Sequence, residues 1–296
     1  MPIINRKKLL FIINPGSGNG DINWPTVIEK YFENSSCIIE LFHLPSDCDI
    51  KKIIEKIEVF LPQQVIAVGG DGTVKLVAEC LLQKNIPMGI LPAGSANGLA
   101  KELGISGDAI VALDGLMDGD LKKIHAIKIN DQLCLHLSDI GFNAFVIKKF
   151  ETQLGRGMWG YFKASVKALW SHPHMTLEME LQNRKVKLKA AMVVIANATQ
   201  YGSGARINPI GTLDDKLFEV IAVKKISLLE IFKMIISHQP FDPQKTEVFQ
   251  TETLLIRSRK KAHFQVDGEY LGKVNVVKAD IVLDALEIIV PYFTNK

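Results

Sequence analysis

The sequence has few of the features that mark whole classes of protein. Its 296 residues include only four cysteines, Cys37, Cys48, Cys80 and Cys134. Their scattered spacing matches neither a zinc site nor a disulfide framework, so reduced thiols are expected. No apolar run reaches the roughly 18 residues that a spanning helix needs. Met1 to Lys8 holds no apolar signal-peptide core. The expectation is a cytoplasmic protein, with peripheral contact at a membrane surface left open. The charge balance is 35 Lys and Arg against 32 Asp and Glu, a net +3. That lacks the clustered basic face of a nucleic-acid binder, and no nucleic-acid partner is expected. Glycine-rich turns are present, yet none ends in the Lys-Ser/Thr of a P-loop.

What is present suits a globular chain with a sizeable core: 47% hydrophobic and 23% charged residues. Its length allows two domains. Lys7 to Ile13, Cys37 to Leu44, Val65 to Val68 and Met88 to Leu91 read as strands. Helical patterns alternate with them: Pro25 to Phe32, Ile50 to Phe60, Val74 onward, and the segment reaching Leu103 with Gly104 as its cap. This alternation predicts an α/β domain over residues 1–120, a parallel sheet with helices on both faces. Three glycine-rich turns follow strand ends, at residues 14–20, 69–73 and 92–98. In such a sheet they share the carboxyl edge, where ligands bind. Gly69-Gly70-Asp71-Gly72-Thr73 is the most informative. Its glycines let backbone N–H groups approach a ligand, and the helix behind it favours an anion. A phosphate beside the Asp71 carboxylate requires a metal or a transferable proton between them.

After Asp120 the pattern changes. Leu121 to Asn130, Gln132 to Asp139, Thr176 to Leu181, Lys185 to Ala198, Leu217 to Val223, Thr246 to Ser258, Ala262 to Val266, Ile281 to Leu283 and Leu286 to Val290 read as strands. Helices are expected at Trp159 to Trp170 and Ser227 to Ser237, either of which fits a core-packing or a membrane-facing role. Residues 121–296 thus read as a β-rich antiparallel sandwich.

The motifs occur in a fixed order: Asn14-Pro15-Gly16-Ser17-Gly18, Gly69 to Thr73, Gly94-Ser95-Ala96-Asn97, Ile140-Gly141-Phe142, Leu213-Asp214-Asp215-Lys216-Leu217, and Val266-Asp267-Gly268-Glu269. This ordered set, spanning nearly the whole chain, resembles the diacylglycerol kinase catalytic family. That family of soluble lipid kinases includes bacterial diacylglycerol kinases, sphingosine kinases and ceramide kinase. The resemblance implies the same two-domain plan with the active site in the cleft between. It also implies transfer of the ATP γ-phosphate to a lipid hydroxyl with Mg²⁺. A NAD kinase, which shares the Gly-Gly-Asp-Gly-Thr turn, and a non-catalytic lipid or nucleotide sensor are the alternatives.

Carried over position by position, the resemblance assigns ATP to Asn14, Pro15, Gly16, Ser17, Gly18, Gly69, Gly70, Asp71, Gly72, Thr73, Gly94, Ser95 and Asn97. Thr73 would turn its hydroxyl to phosphate oxygens, and Asn97 would brace its loop. Asp71, Asp267 and Glu269 are the candidate catalytic acids. Two assignments stand for Asp71: it holds Mg²⁺, or it accepts the substrate proton as in the sphingosine kinase branch. In the bacterial branch Glu269 is the proton acceptor. Asp215, with the carbonyls of Thr212 and Leu217, matches a structural Mg²⁺ site. The chain departs from the bacterial pattern at Gly98, where Asp is usual, and at Lys216, where Gly is usual. Arg156 and Arg206 are further candidates for phosphate contact.

Overall fold

The structure is a computed structural model. It describes residues 6–17, 22–45, 49–151, 174–182, 184–199, 207–208, 211–227 and 242–292, with side chains omitted at 149–151. The segments 159–170 and 228–237, and with them Cys48, Arg156 and Arg206, lie outside the described residues. The helices expected from Trp159 to Trp170 and from Ser227 to Ser237 fall there. The chain divides into two compact units, Met1–Ile124 with Asp284–Lys296, and His125–Leu283. Among the described residues no helix is long and apolar enough to cross a membrane.

In the first unit the strands β1 (Lys8–Ile13), β2 (Ile38–His43), β3 (Gln64–Gly69) and β4 (Met88–Pro92) form a parallel sheet. Their order is β2-β1-β3-β4, and the end of a late strand, at Ile288, pairs with Met88 beyond β4. Every residue of β3 and β4 is buried. That is why these strands read as unbroken apolar runs rather than alternating ones. Helices α1 (Trp24–Phe32), α2 (Ile50–Phe60), α3 (Asp71–Leu81), α4 (Gly98–Glu102) and α5 (Ala109–Asp118) connect and cover them. Trp24, Ile28 and Phe32 of α1 and Ala112, Leu113 and Leu116 of α5 pack on Leu9, Phe11, Ile13, Ile66 and Val68. Asn23 caps α1 and Asp49 caps α2 by accepting backbone N–H bonds. Gly104, with φ +69°, ends the α4 segment in the left-handed conformation expected of a glycine cap. Helix α5, capped by Asp108, was not legible in the sequence.

The second unit is mostly antiparallel sheet. Strand β5 (Asp120–Ile129) leads into it. The strands β6 (Gln132–Cys134), β7 (Leu137–Gly141), β8 (Met175–Leu181), β9 (Arg184–Ala190), β10 (Met192–Ala196), β11 (Phe218–Val223), β12 (Thr246–Thr251), β13 (Thr253–Val266) and β14 (Glu269–Val290) follow, with α6 (Phe142–Glu151) after β7. The central order is β12-β11-β10-β7-β13-β14. Both faces are covered. Val193, Ile195, Val220, Ile140 and Phe264 pack with Leu177 and Met179 of β8 and Ile127 of β5. Met192, Val194, Ile221 and Val223 meet Phe142 and Val146 of α6.

Several predicted strands are broken where a side chain captures the backbone or the chain changes partners. Gln132 to Asp139 is β6 and β7, because the N–H groups of Leu135, His136 and Leu137 bond to the Asp267 carboxylate. Lys185 to Ala198 splits at Ala191, whose N–H reaches Val223 O and whose carbonyl accepts from Phe142. Thr246 to Ser258 splits at Glu252. In the opposite sense, Ile281 to Leu283 and Leu286 to Val290 belong to one strand that starts at Glu269.

Candidate functional site

The carboxyl ends of β1, β3 and β4 deliver the three glycine-rich turns to one edge of the first unit's sheet, where they bond to one another. The Asn14 N–H donates to Val68 O at 3.0 Å. Its Nδ2 donates to Thr73 Oγ1 at 3.1 Å, and its Oδ1 accepts from Gly16 N at 3.0 Å. One asparagine therefore shapes the first turn and ties it to the second. Gly69 O accepts from Ala93 N at 2.9 Å, which ties the second turn to the third. Within the third, Asn97 adopts φ +50° and bonds Gly94 at both ends: Oδ1 to N at 2.9 Å and Nδ2 to O at 2.7 Å.

The glycines are required by contact. A Cβ on Gly69 would lie 2.3 Å from Thr73 Oγ1, and one on Gly94 would lie 2.4 Å from Gly70 Cα. A Cβ on Gly72, by contrast, would meet nothing within 4 Å. Among the described residues of these turns, Pro15, Gly16, Gly72 and Ser95 are exposed. Ser17 is half-buried, its N–H bonded to Asn14 O at 3.1 Å, and Gly18 lies outside the described residues. Thr73 departs from its expected role. It is 4% exposed, its hydroxyl accepts from Asn14, and it fills the space that Gly69 leaves. It braces the turns instead of facing their ligand.

Asp71 is the first residue of α3, where a carboxylate is favoured by the helix dipole. It is half-buried, and its Oδ1 accepts a long 3.3 Å bond from Leu99 N. Among the described residues no group of three or more His, Cys, Asp or Glu gathers as a metal cage. One carboxylate among glycine-rich turns suits the chemistry of Mg²⁺, which is usually held by one or two carboxylates together with substrate phosphates.

In the second unit, Asp267-Gly268 is the two-residue turn between β13 and β14. Positive φ at both residues, +49° and +87°, makes it a type I′ hairpin. The two acids of the motif have different surroundings. Asp267 Oδ1 accepts from His136 N at 2.9 Å and Leu137 N at 3.1 Å, and Oδ2 accepts from Leu135 N at 3.0 Å. Three backbone amides hold its oxygens, so Asp267 organises the loop before β7. Glu269 is exposed.

At Thr212, Asp215 and Leu217 the Asp215 Oδ1 accepts from Leu217 N at 3.3 Å. Asp215 is half-buried, Thr212 and Lys216 are exposed. The neighbouring acid is Glu219, which the sequence did not single out. It is 1% exposed and accepts from Asn208 Nδ2 at 2.6 Å and Gln250 Nε2 at 3.0 Å. Burial pushes its carboxyl above the ordinary range, and the charge of Asp215 adds to this. A raised folded-state value means that the native protein holds this proton more tightly than the unfolded chain. The resulting stability is present below the ordinary carboxylate range and is lost as pH rises through the folded value. The unfolding free energy of the wild type, relative to Glu219→Gln, is therefore expected to fall as pH rises above the ordinary carboxylate range in urea titrations. A difference independent of pH contradicts it.

Asp139, Asn143 and Gln265 were also missed, although Asp139 adjoins the quoted Ile140-Gly141-Phe142. The available signal was an acid inside an apolar run, which must find partners when buried.

A parallel α/β unit with knitted glycine turns, joined to a β sandwich, is the plan of the diacylglycerol kinase and NAD kinase folds. Residues 8–129 match the diacylglycerol kinase catalytic domain, and residues 139–290 match the YegS C-terminal NAD kinase beta sandwich-like domain. The chain belongs to the diacylglycerol kinase catalytic-domain family. Among its relatives, a diacylglycerol kinase of Bacillus subtilis is 24% identical over 218 residues, 70% of this chain and 69% of that one. A probable lipid kinase YegS-like of Chromohalobacter salexigens is 25% identical over 70% of this chain and 69% of its own. An uncharacterised Synechocystis protein, sll0036, is 25% identical over 90% of this chain, a match that spans 66% of the relative's length. A putative diacylglycerol kinase structure from Bacillus anthracis superposes with TM-score 0.78 at 19% identity, covering 96% of this chain and 97% of that one. Yeast NADH kinase superposes at TM-score 0.56 with 8% identity, covering 98% and 85%. These two likenesses concern the fold.

Proposed function

We propose that the protein is an ATP-dependent lipid kinase that moves the γ-phosphate to a lipid hydroxyl with Mg²⁺. The observation that carries this reading is the mutual bonding of the three glycine-rich turns around Asp71 on one sheet edge. Backbone N–H groups of Gly70 and Gly72 and the Ser95 hydroxyl would take the phosphates, and the exposed Pro15 and Gly16 would line the nucleotide. Asp71 would hold Mg²⁺, whose contribution is to neutralise charge on the transferring phosphoryl group. Glu269 would take the proton from the lipid hydroxyl as its oxygen bonds to the γ-phosphorus. The bond from that phosphorus to the bridging oxygen breaks, and ADP leaves. Thr212, Asp215 and Leu217 supply one carboxylate and two carbonyls for a structural cation, to be completed by water. The lipid itself is set by apolar contacts, which discriminate weakly between chains. Lipid delivery implies peripheral contact with a membrane.

The test is an assay with γ-labelled ATP and Mg²⁺ in which diacylglycerol, sphingosine, phosphatidylglycerol and polyprenol compete, with NAD⁺ in a parallel tube. Label is expected in an organic-phase phospholipid, and Asp71→Asn is expected to lower the rate by about 10²-fold or more. Label in NADP and none in lipid overturns the reading, as does full activity in Asp71→Asn. Bound but unconsumed ATP identifies a sensor.

A further inference from the structure

The turn that carries Glu269 is connected to a buried charge. Asp139 on β7 is fully buried, and its carboxylate accepts from Ala144 N at 2.8 Å, Asn143 Nδ2 at 2.5 Å and Gln265 Nε2 at 2.6 Å. Gln265 on β13 is 1% exposed and lies opposite Asp139 in the sheet register. Its Oε1 accepts from the Gly268 N–H at 2.7 Å. A continuous path of hydrogen bonds thus runs from a buried carboxylate, through one amide side chain, to the backbone immediately before Glu269.

The direction of that path is not arbitrary. A carboxylate only accepts, so Asp139 requires the NH₂ end of Gln265, which leaves the carbonyl end for Gly268. Gly268 is itself exposed, and water could satisfy its N–H without help. Burying an acid and an amide, in contrast, is costly unless every partner is in place. The network therefore gains orientation of the turn. Its other end is held by Asp267, whose carboxylate binds the amides of residues 135–137. Resting on the assignment of Glu269 as proton acceptor, we infer that Asp139 and Gln265 are positioning residues. The buried carboxylate sets the amide, and the amide sets the backbone from which Glu269 reaches the lipid hydroxyl.

The pattern of donors makes this testable by exchange. Gln265→Glu opposes two carboxylates. Asp139→Asn leaves one acceptor oxygen for three donors, so the Ala144 N–H or the Asn143 and Gln265 amides face a donor instead. Gln265→Met removes both bonds at similar volume. Each single variant is expected to lower kcat for lipid phosphorylation by about tenfold to a hundredfold, the scale of a reacting group displaced by about 1 Å. KM for ATP should stay within about twofold, because the expected nucleotide turns belong to the other unit. In the double variant Asp139→Asn/Gln265→Glu the donors match again once Asn143, whose Nδ2 donates to the same Asp139 oxygen, turns its own carbonyl to the new amide. The new amide at position 139 donates to the new carboxylate at position 265, whose other oxygen accepts from Gly268. Recovery of kcat to within about threefold of wild type is expected, and a purely structural role has no reason to produce it at constant KM. Where a single variant is recovered unfolded, the double variant carries the test. Unchanged kcat in all folded single variants overturns the inference, as does a double variant no better than the singles in folding or in kcat. Glu269→Gln, measured alongside, separates the two readings. Full activity there removes the assignment of Glu269 itself. An inactive Glu269→Gln with an unimpaired Gln265→Met removes the positioning role alone.

Discussion

Glu269→Gln is expected to lower kcat for lipid phosphorylation by about 10²- to 10⁴-fold, the range attached to one positioned general base. KM for ATP should change by less than about threefold. The two acids of the Asp267-Gly268-Glu269 turn differ in what holds them. Asp267 has three backbone N–H groups on its oxygens, and protonation there would weaken its hold on residues 135–137. Glu269 is exposed and opens β14. Exchange of its carboxylate for an amide keeps the shape and removes the proton acceptor. Phosphoryl transfer depends more on placement and charge neutralisation than on a strong base, so residual turnover is expected above the uncatalysed rate. Asp267→Asn should behave differently, with lost thermal stability exceeding any loss of kcat per folded molecule. Full activity of Glu269→Gln, measured at saturating ATP, excludes Glu269 as the base and returns that role to Asp71.

Gly94→Ala is expected to disrupt the glycine-rich turns. Its Cβ would sit 2.4 Å from Gly70 Cα and 2.9 Å from Asn97 Oδ1. The first obstacle is backbone, which cannot swing aside as a side chain can. The β4 turn must therefore move off the β3 turn or break the paired Gly94–Asn97 bonds. Overpacking of this kind costs about 1–3 kcal/mol, and a roughly tenfold or larger rise in KM for ATP should accompany it. Gly72→Ala is the stability control. Nothing lies within 4 Å of its Cβ, and it occupies the first turn of α3. Its folding stability should be unchanged or slightly raised, since alanine is the better helix former. Urea unfolding and ATP titration of both variants check this. Equal behaviour of the two variants contradicts the contact argument.

Part of the candidate site was legible because it consists of local chemistry. Apolar runs of four to six residues ending in glycine, asparagine and acid announce strand-to-turn junctions whatever surrounds them. Parallel strands separated by helices place such junctions on one edge. Other parts depended on partners distant in sequence. Thr73 reads as a phosphate ligand beside Asp71, yet Asn14 and the missing side chain of Gly69 draw its hydroxyl inward. Asp139 shows in one dimension only as an acid in an apolar run, and Gln265 and Glu219 carry no motif. They gain meaning only because a sheet register brings donors to buried carboxylates.

The amino-acid sequence alone determined the strand–helix alternation from β1 to α4, the β-rich second half and the positions of the glycine turns. These follow from side-chain period and backbone freedom within a few residues. The tertiary structure decided which acid of Asp267-Gly268-Glu269 is committed inward, where the long strands break, and that Asp284–Lys296 belongs with the first unit. The physical reason is common to all three. Each outcome depends on which backbone N–H and C=O groups find a partner, and those partners lie up to about 200 residues away in the chain.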